Sequence, residues 1–184
     1  MTELVPPDVR YHASWAEAVT EFGDEVMHGS GMWDMDTTDL SKATLQTRVT
    51  HLLAQSDPAT VLPENRVHSH YFWIVDGDDF VGYLAMRHAL TPFLLEEGGH
   101  IGFSVRPTRR RQGHARRALA LALARAAEIG LARVLLTCDD DNDGSRLTIE
   151  HNGGVYEDTR KDKRRYWIDL GDQTPPRPLN EHVR

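Results

Sequence analysis

The sequence predicts an α/β sandwich around one mixed, mostly antiparallel sheet with helices on both faces, and three observations carry that prediction. Apolar residues recur at helical spacing early in the chain, short apolar runs separated by turn residues fill the middle, and the remainder alternates strand, helix, strand, helix and strand patterns. With 184 residues, the chain is the size of one domain. We read that domain as residues 1–170, followed by a C-terminal tail, 171–184, containing Pro175, Pro176 and Pro178. The 40% of hydrophobic and 27% of charged residues supply enough apolar surface to offset the entropy lost on ordering the chain, so a globular fold is expected.

Ser14-Trp15-Ala16-Glu17 has the form of a capping box, and Trp15, Ala18, Val19 and Phe22 follow at helical spacing, which predicts a first helix from near Ser14 to near Gly29. Leu45, Val49, Leu52 and Leu53 predict a second. Between them, Met32-Trp33-Met35 has two readings: a mobile loop over a site, or a plug for the core. Tyr71–Val75, the turn Asp76-Gly77-Asp78-Asp79 and Phe80–Met86 predict a β-hairpin, and Ile101–Val105 a further strand. A long Ala/Leu helix opens at Gly113 and closes at Gly130. Arg133–Cys138 reads as a buried strand, Asn142 or Asp143 caps a short helix through Glu150, and Val155–Thr159 with Tyr166–Leu170 form a last pair of strands.

Composition removes several functional classes. The formal charge is −7, from 21 basic and 28 acidic residues, which argues against a protein that coats nucleic acid. Cys138 is the sole cysteine, so neither an internal disulfide nor a Cys-based zinc site can be assembled from one chain, and a cytoplasmic setting is expected. Glu3, Pro6, Pro7 and Asp8 stand where a secretory signal would need a basic start and an apolar stretch. No uncharged apolar run approaches the ~20 residues that cross a bilayer, so no membrane span is expected.

The chemistry concentrates in one stretch. Between Glu97 and Glu128 there is no acidic residue, yet Arg106, Arg109, Arg110, Arg111, Arg116, Arg117 and Arg125 all lie there. A strand ending at Val105, a turn and a helix opening at Gly113 would aim free backbone N–H groups and the positive end of a helix dipole at one point, which suits a phosphate. The dipole alone contributes about 0.3–1 kcal/mol, so directed N–H bonds and arginines must supply the rest. Gly113 and Ala115 keep large side chains away, and the lysine-bearing loop GxxxxGK[ST] of ATP and GTP sites is absent.

The run Val105-Arg106-Pro107-Thr108-Arg109-Arg110-Arg111-Gln112-Gly113-His114-Ala115 resembles the acetyl-CoA pyrophosphate loop of the GNAT N-acetyltransferase superfamily, whose [RQ]-x-x-G-x-[GA] signature Arg110, Gly113 and Ala115 match. Val134–Cys138, Asn142, Ser145 and Gly153-Gly154 fall where that family places its second CoA-contacting strand and helix. The resemblance spans about residues 4–170, and the run from Arg87-His88 through Gly98–Pro107, with Asn142 and Arg165–Ile168, resembles a bacterial subgroup of predicted acetyltransferases. It implies a V-shaped splay between two parallel strands that holds acetyl-CoA, with the pantetheine along Ile101–Val105, Phe103, Ser104 and Val105 among them. The implied cofactor contacts continue through Arg110, Arg111, Gln112, Gly113, His114, Ala115 and Arg116 to Asn142 and Ser145. The implied reaction is direct attack of the amine acceptor on the thioester carbonyl; we read the acceptor as a primary amine on a small molecule or, second, on a peptide, and expect no required metal.

An alkylamine is mostly protonated near neutrality, so a general base contributing ~10²- to 10⁴-fold is expected. His100 is the first candidate, since a pKa of about 6.5 suits the task; the competing reading is a structural histidine bonded to backbone. His88, at the end of the neighbouring strand with Arg87, and Glu97, with Glu96, come next; Arg87 or His88 could instead hold an acidic group of the acceptor. Many relatives carry a tyrosine seven residues after the asparagine, but that position is Ile149 here, so the acid for the leaving thiolate stays open. Cys138 reads as packed core before it reads as a nucleophile.

A non-catalytic acyl-CoA-binding regulator shares every loop feature, and nucleic-acid binding through the arginines is disfavoured because no aromatic is interleaved for base stacking. His68-Ser69-His70 offers two ligands on one strand face, too few for a metal site. An exposed final strand allows a homodimer.

Overall fold

A computed structural model of the chain describes residues 1–32 and 37–171; Trp33 and Met35 of the Met/Trp stretch, and all of the tail after Gly171, lie outside the described residues. The strands are β1 (Thr2–Val5), β2 (Ser69–Asp76), β3 (Asp79–Arg87), β4 (Ile101–Val105), β5 (Arg133–Asp139), β6 (Val155–Arg160) and β7 (Lys163–Asp169). The helices are α1 (His12–Phe22), α2 (Lys42–Ala54), α3 (Pro92–Glu96), α4 (His114–Glu128) and α5 (Asp143–His151), with 3-10 turns at Val9–Tyr11 and Pro107–Arg109.

The strands form two antiparallel sheets, β1-β2-β3-β4 and β5-β7-β6, and α4 carries the chain from the last strand of one to the first strand of the other. A strand–helix–strand crossover of this kind is the connection that parallel strands require. The edges of the two sheets meet at one place. There the His100 N–H donates to the Leu135 carbonyl at 2.7 Å, and the Leu135 N–H donates to Nδ1 of the His100 ring at 2.9 Å. Beyond that point no ladder joins β4 to β5 among the described residues, so the sheets part.

Two apolar layers flank the sheet. On one side Trp15, Phe22, Leu45 and Leu52 of α1 and α2 pack on Trp73, Phe80 and Tyr83. On the other, Ala118, Leu119, Ala122 and Ala126 of α4 pack on Ile74, Val81, Met86, Ile101 and Leu136. The alanine face combines the best helix propensity with the smallest side chain, so α4 lies close to the strands.

Several boundaries differ from the expected ones. The first helix begins at His12 rather than at Ser14, whose hydroxyl accepts the Phe80 N–H at 2.9 Å instead of capping its own helix. It ends at Phe22 before Gly23, well short of Gly29. Gly29 has a different duty: a side chain there would place its Cβ 2.3 Å from the Gly102 carbonyl oxygen, so only glycine lets this segment cross β4 so closely. β1 and α3 are additions, and the final strand β7 lies between β5 and β6, which leaves β6 as the sheet edge.

Candidate active site

The turn after β4 is built to leave amides unclaimed. Arg109 and Arg110 donate their N–H groups to Arg106 and Pro107, and the next amide with a backbone acceptor is that of Arg117, bonded to Gly113. The N–H groups of residues 111–116 meet no protein acceptor among the described residues, and no side chain caps α4. Arg111 and Gly113 take left-handed conformations, with φ of 59° and 85°. Alternating hands of this sort turn successive N–H groups toward one concavity, a shape suited to anions. The space beside Gly113 is open, with nothing within 4 Å of a notional Cβ.

The arginines of this region divide into two sets. Arg106 is buried on the Glu21 carboxylate, whose pKa falls to about 2 chiefly through that hydrogen bond. Arg109 bridges Asp76 at 2.8 Å and Asp79 at 3.0 Å, while Arg110 holds Glu25 and the Val105 carbonyl. Arg111, Arg116 and Arg117 are exposed, and none forms an ion pair among the described residues. The set left free therefore stands beside the unclaimed amides.

Where β4 and β5 part, a cavity of about 510 Å³ opens, lined by Ile101, Gly102 and Phe103 on one side and Thr137, Cys138 and Asp139 on the other. Asn142 and Ser145 line it at the start of α5, and His28, Gly29, Tyr71 and Arg87 line it on the β2–β3 side, here called its mouth. Asn142 Oδ1 accepts the Ser145 N–H at 3.0 Å, so the α5 N-terminus is capped from within the chain. Ser104 donates its hydroxyl to the His28 carbonyl at 2.8 Å, which with the Gly29 contact pins that segment across β4.

The candidate residues separate accordingly. Phe103, Asn142, Ser145 and Glu97 line the cavity, and Glu97 also faces Lys161 at 3.5 Å. Gln112 and Arg116 are exposed at the turn, and Ala115 packs partly against the core. His114 turns its ring inward to Thr2, 2.9 Å away, so only its backbone faces the turn. His100 does not line the cavity: it is buried, its Nδ1 is spent on Leu135, and burial lowers its pKa to about 4. His88 pairs with His70 at 2.7 Å, also outside the cavity wall. Ile149 is core, and Cys138 is a buried thiol whose pKa burial pushes up to about 11.

Sequence reasoning misses His28, Asp139 and Lys163. His28 stands exposed at the cavity mouth, and the desolvation it meets there keeps its pKa below 6.5. Asp139 and Lys163 form an ion pair in the opposite wall. The available signal for His28 is its place before Gly29, but only the Gly29–Gly102 approach gives that neighbourhood meaning. Among the described residues, no cluster of three or more His, Cys, Asp or Glu side chains is placed to hold a metal, His68 and His70 included.

No curated protein matches the chain in sequence. Among solved structures, RimJ of Mycobacterium smegmatis in complex with CoA-disulfide is similar at a TM-score of 0.69 and 20% identity, covering 96% of this chain and 84% of that one. The ribosomal-protein-S5-alanine acetyltransferase of Vibrio fischeri gives 0.66 at 16% identity, with 95% and 94% covered. The microcin C7 self immunity acetyltransferase MccE, in complex with acetyl-CoA and AMP, gives 0.64 at 12% identity, with 91% and 92% covered. These likenesses establish a shared fold. The sequence itself matches the acetyltransferase (GNAT) family over residues 34–153, a span that takes in β4, the open turn, α4 and α5 together, and on that match the chain belongs to the acetyltransferase (GNAT) family.

Proposed function

We propose that this protein is an N-acetyltransferase that moves an acetyl group from acetyl-CoA directly to a primary amine of a small molecule. The observation that carries the reading is the run of amides at residues 111–116, unclaimed among the described residues, together with Arg111 and Arg116, which form no ion pair there. A diphosphate fits that cradle, since it accepts several N–H bonds and complements both the helix dipole and the guanidinium groups. When bound, acetyl-CoA supplies the activated thioester. The cavity beside Phe103 and Gly102 is the space into which its acyl end would reach, with the backbone of Ile101–Val105 alongside.

The base role passes from His100 to His28 in this reading. Nδ1 of His100 already accepts a hydrogen bond, whereas His28 lines the cavity and forms no side-chain hydrogen bond or ion pair among the described residues. A pKa held below 6.5 keeps His28 neutral near pH 7 and ready to take the proton that the amine must lose. Glu97, held by Lys161, ranks second, and His88 third. The thiol of Cys138 stays protonated, which favours direct transfer over an acyl-cysteine route. A cytoplasmic setting suits this single buried thiol, and a homodimer would form through the β6 edge, where Val155 and Tyr156 are exposed.

Two measurements test the proposal. Acetyl-CoA at 100 times its dissociation constant should stabilise the fold by about 2.7 kcal/mol in a thermal titration; no shift would remove the cofactor assignment. His28→Ala should lower kcat at least about tenfold without changing acetyl-CoA affinity. In the parent enzyme, kcat/KM should rise with pH through an inflection below 6.5, because His28 works unprotonated. The same inflection persisting in His28→Ala would return the role to another group.

A further inference from the structure

The cavity mouth contains a cation, Arg87, for which no carboxylate is supplied among the described residues. Arg87, at the end of β3, donates from Nη1 to the Gly98 and Gly99 carbonyls, both at 3.0 Å. Its guanidinium lies over Gly102, with Nη1 and Nη2 each 3.7 Å from the place a Cβ would occupy there. Neutral carbonyls leave its charge uncompensated. The contrast with the other deeply set arginines is sharp: Arg106 rests on Glu21, Arg109 on Asp76 and Asp79, and Arg165 on Glu157 and Asp158. Burying a charge without a partner is costly, so such a group usually meets an opposite charge.

A second cation stands nearby. Arg66 lines the same mouth and forms no ion pair among the described residues; burial is the main cause that lowers the Arg87 pKa, and the like charge of Arg66 adds to it. Tyr71 lies in the wall between β2 and the cavity, with its hydroxyl pKa raised by burial, so it stays a donor. The acidic residues in the cavity wall are already matched, Glu97 with Lys161 and Asp139 with Lys163. Among the described residues, what the mouth lacks is an anion.

We infer that the acceptor amine carries an acidic group, a carboxylate or a phosphate, held by Arg87 with Arg66 and Tyr71 on the β2–β3 side of β4. This rests on the acetyltransferase reading above and deepens it to a substrate class. A planar guanidinium with Nε and Nη2 unspent can grip two oxygens of such a group at once, which also orients the amine. The acidic group would sit beside Gly102, and the amine would extend toward His28, across the same short segment of β4.

The test uses the full chain saturated with CoA, so that the α4 turn is occupied and added anions must bind elsewhere. Calorimetric titrations compare acid-bearing amines of graded length, glycine, 4-aminobutyrate and O-phosphoethanolamine, with their uncharged partners glycinamide, 4-aminobutanamide and ethanolamine. At least one acid-bearing arm should bind ten times more tightly than its partner, and the carboxylate and phosphate arms identify the group. Arg87→Gln should abolish that preference while CoA affinity stays unchanged, and Arg87→Lys, which keeps a donor for Gly98 and a charge, should retain part of it. Equal binding of charged and neutral partners, no binding of any acid-bearing amine, or a preference that survives Arg87→Gln would overturn the inference. Failure of CoA itself to bind would instead sink the acetyltransferase reading, and is measured first.

Discussion

Helices α4 and α5 follow the two strands that part at the cavity, and their first turns are built in opposite ways. α5 begins at Asn142, whose side chain accepts the Ser145 N–H, so the chain satisfies that terminus itself. α4 begins at a left-handed glycine with no side-chain cap, open space beside it, and arginines, Arg111, Arg116 and Arg117, that form no ion pair among the described residues. A buried or crowded helix end needs partners for its first N–H groups, and a protein that withholds them at one helix while supplying them at the next reserves the first for something from outside. The arginines repeat the division. Arg106, Arg109 and Arg110 are fastened to acids contributed by α1, the segment after it and the β2–β3 turn, so they brace the loop, while the remaining set keeps its charge available.

The sharpest break of this contrast is Gly113→Glu, which puts a carboxylate and a left-handed non-glycine residue at the open terminus. Acetyl-CoA affinity should fall more than about 100-fold by calorimetry, with Gly113→Ala as the control for strain. An unaltered dissociation constant would mean that the open turn has no ligand. Next in size, Arg111→Ala and Arg116→Ala should each weaken acetyl-CoA binding several-fold and reduce its salt dependence, as loss of one exposed charge-assisted contact predicts. Arg106→Ala should instead lower the urea midpoint, since it leaves Glu21 without its partner. The smallest effect belongs to the closed terminus. Asn142→Ala should cost about 1 kcal/mol of stability through its lost cap, with acetyl-CoA affinity changed less than twofold; a large affinity loss would show that α5 also serves the cofactor.

Much of this arrangement is legible in the sequence because it is local. The β2–β3 hairpin, β4, the arginine-rich turn, α4 and the Asn142 cap each declare themselves within a dozen residues, through turn chemistry, a glycine at a helix start or an alanine-rich period. β1 is illegible because four residues, one of them Glu3, are too few to show alternation, and its pairing partner lies beyond Ser69. α3 is a five-residue turn, shorter than the period that announces a helix. Ser14 misleads because a hydroxyl that fits a capping box fits equally well a hydrogen bond to Phe80, far along the chain. The sorting of arginines into fastened and free depends on Glu21 and Glu25, and the place of His28 on a glycine contact with β4. None of those pairings leaves a mark on neighbouring residues. His100 shows the same limit: its position beside β4 is readable, but its partner Leu135 belongs to another sheet.

That imidazole does the work of a peptide carbonyl at the seam between the sheets, and it can do so only while Nδ1 keeps its lone pair. Its pKa in the fold, about 4, lies below the ordinary 6.5, so the unfolded chain takes up a proton more readily over that interval. Folding stability should accordingly be complete above pH 6.5 and decline as the pH falls toward 4, with a His100→Asn variant showing a flatter profile across that range in urea titrations. Mild acid should thus unzip the junction before it touches either apolar layer, and the cleft's architecture goes with it.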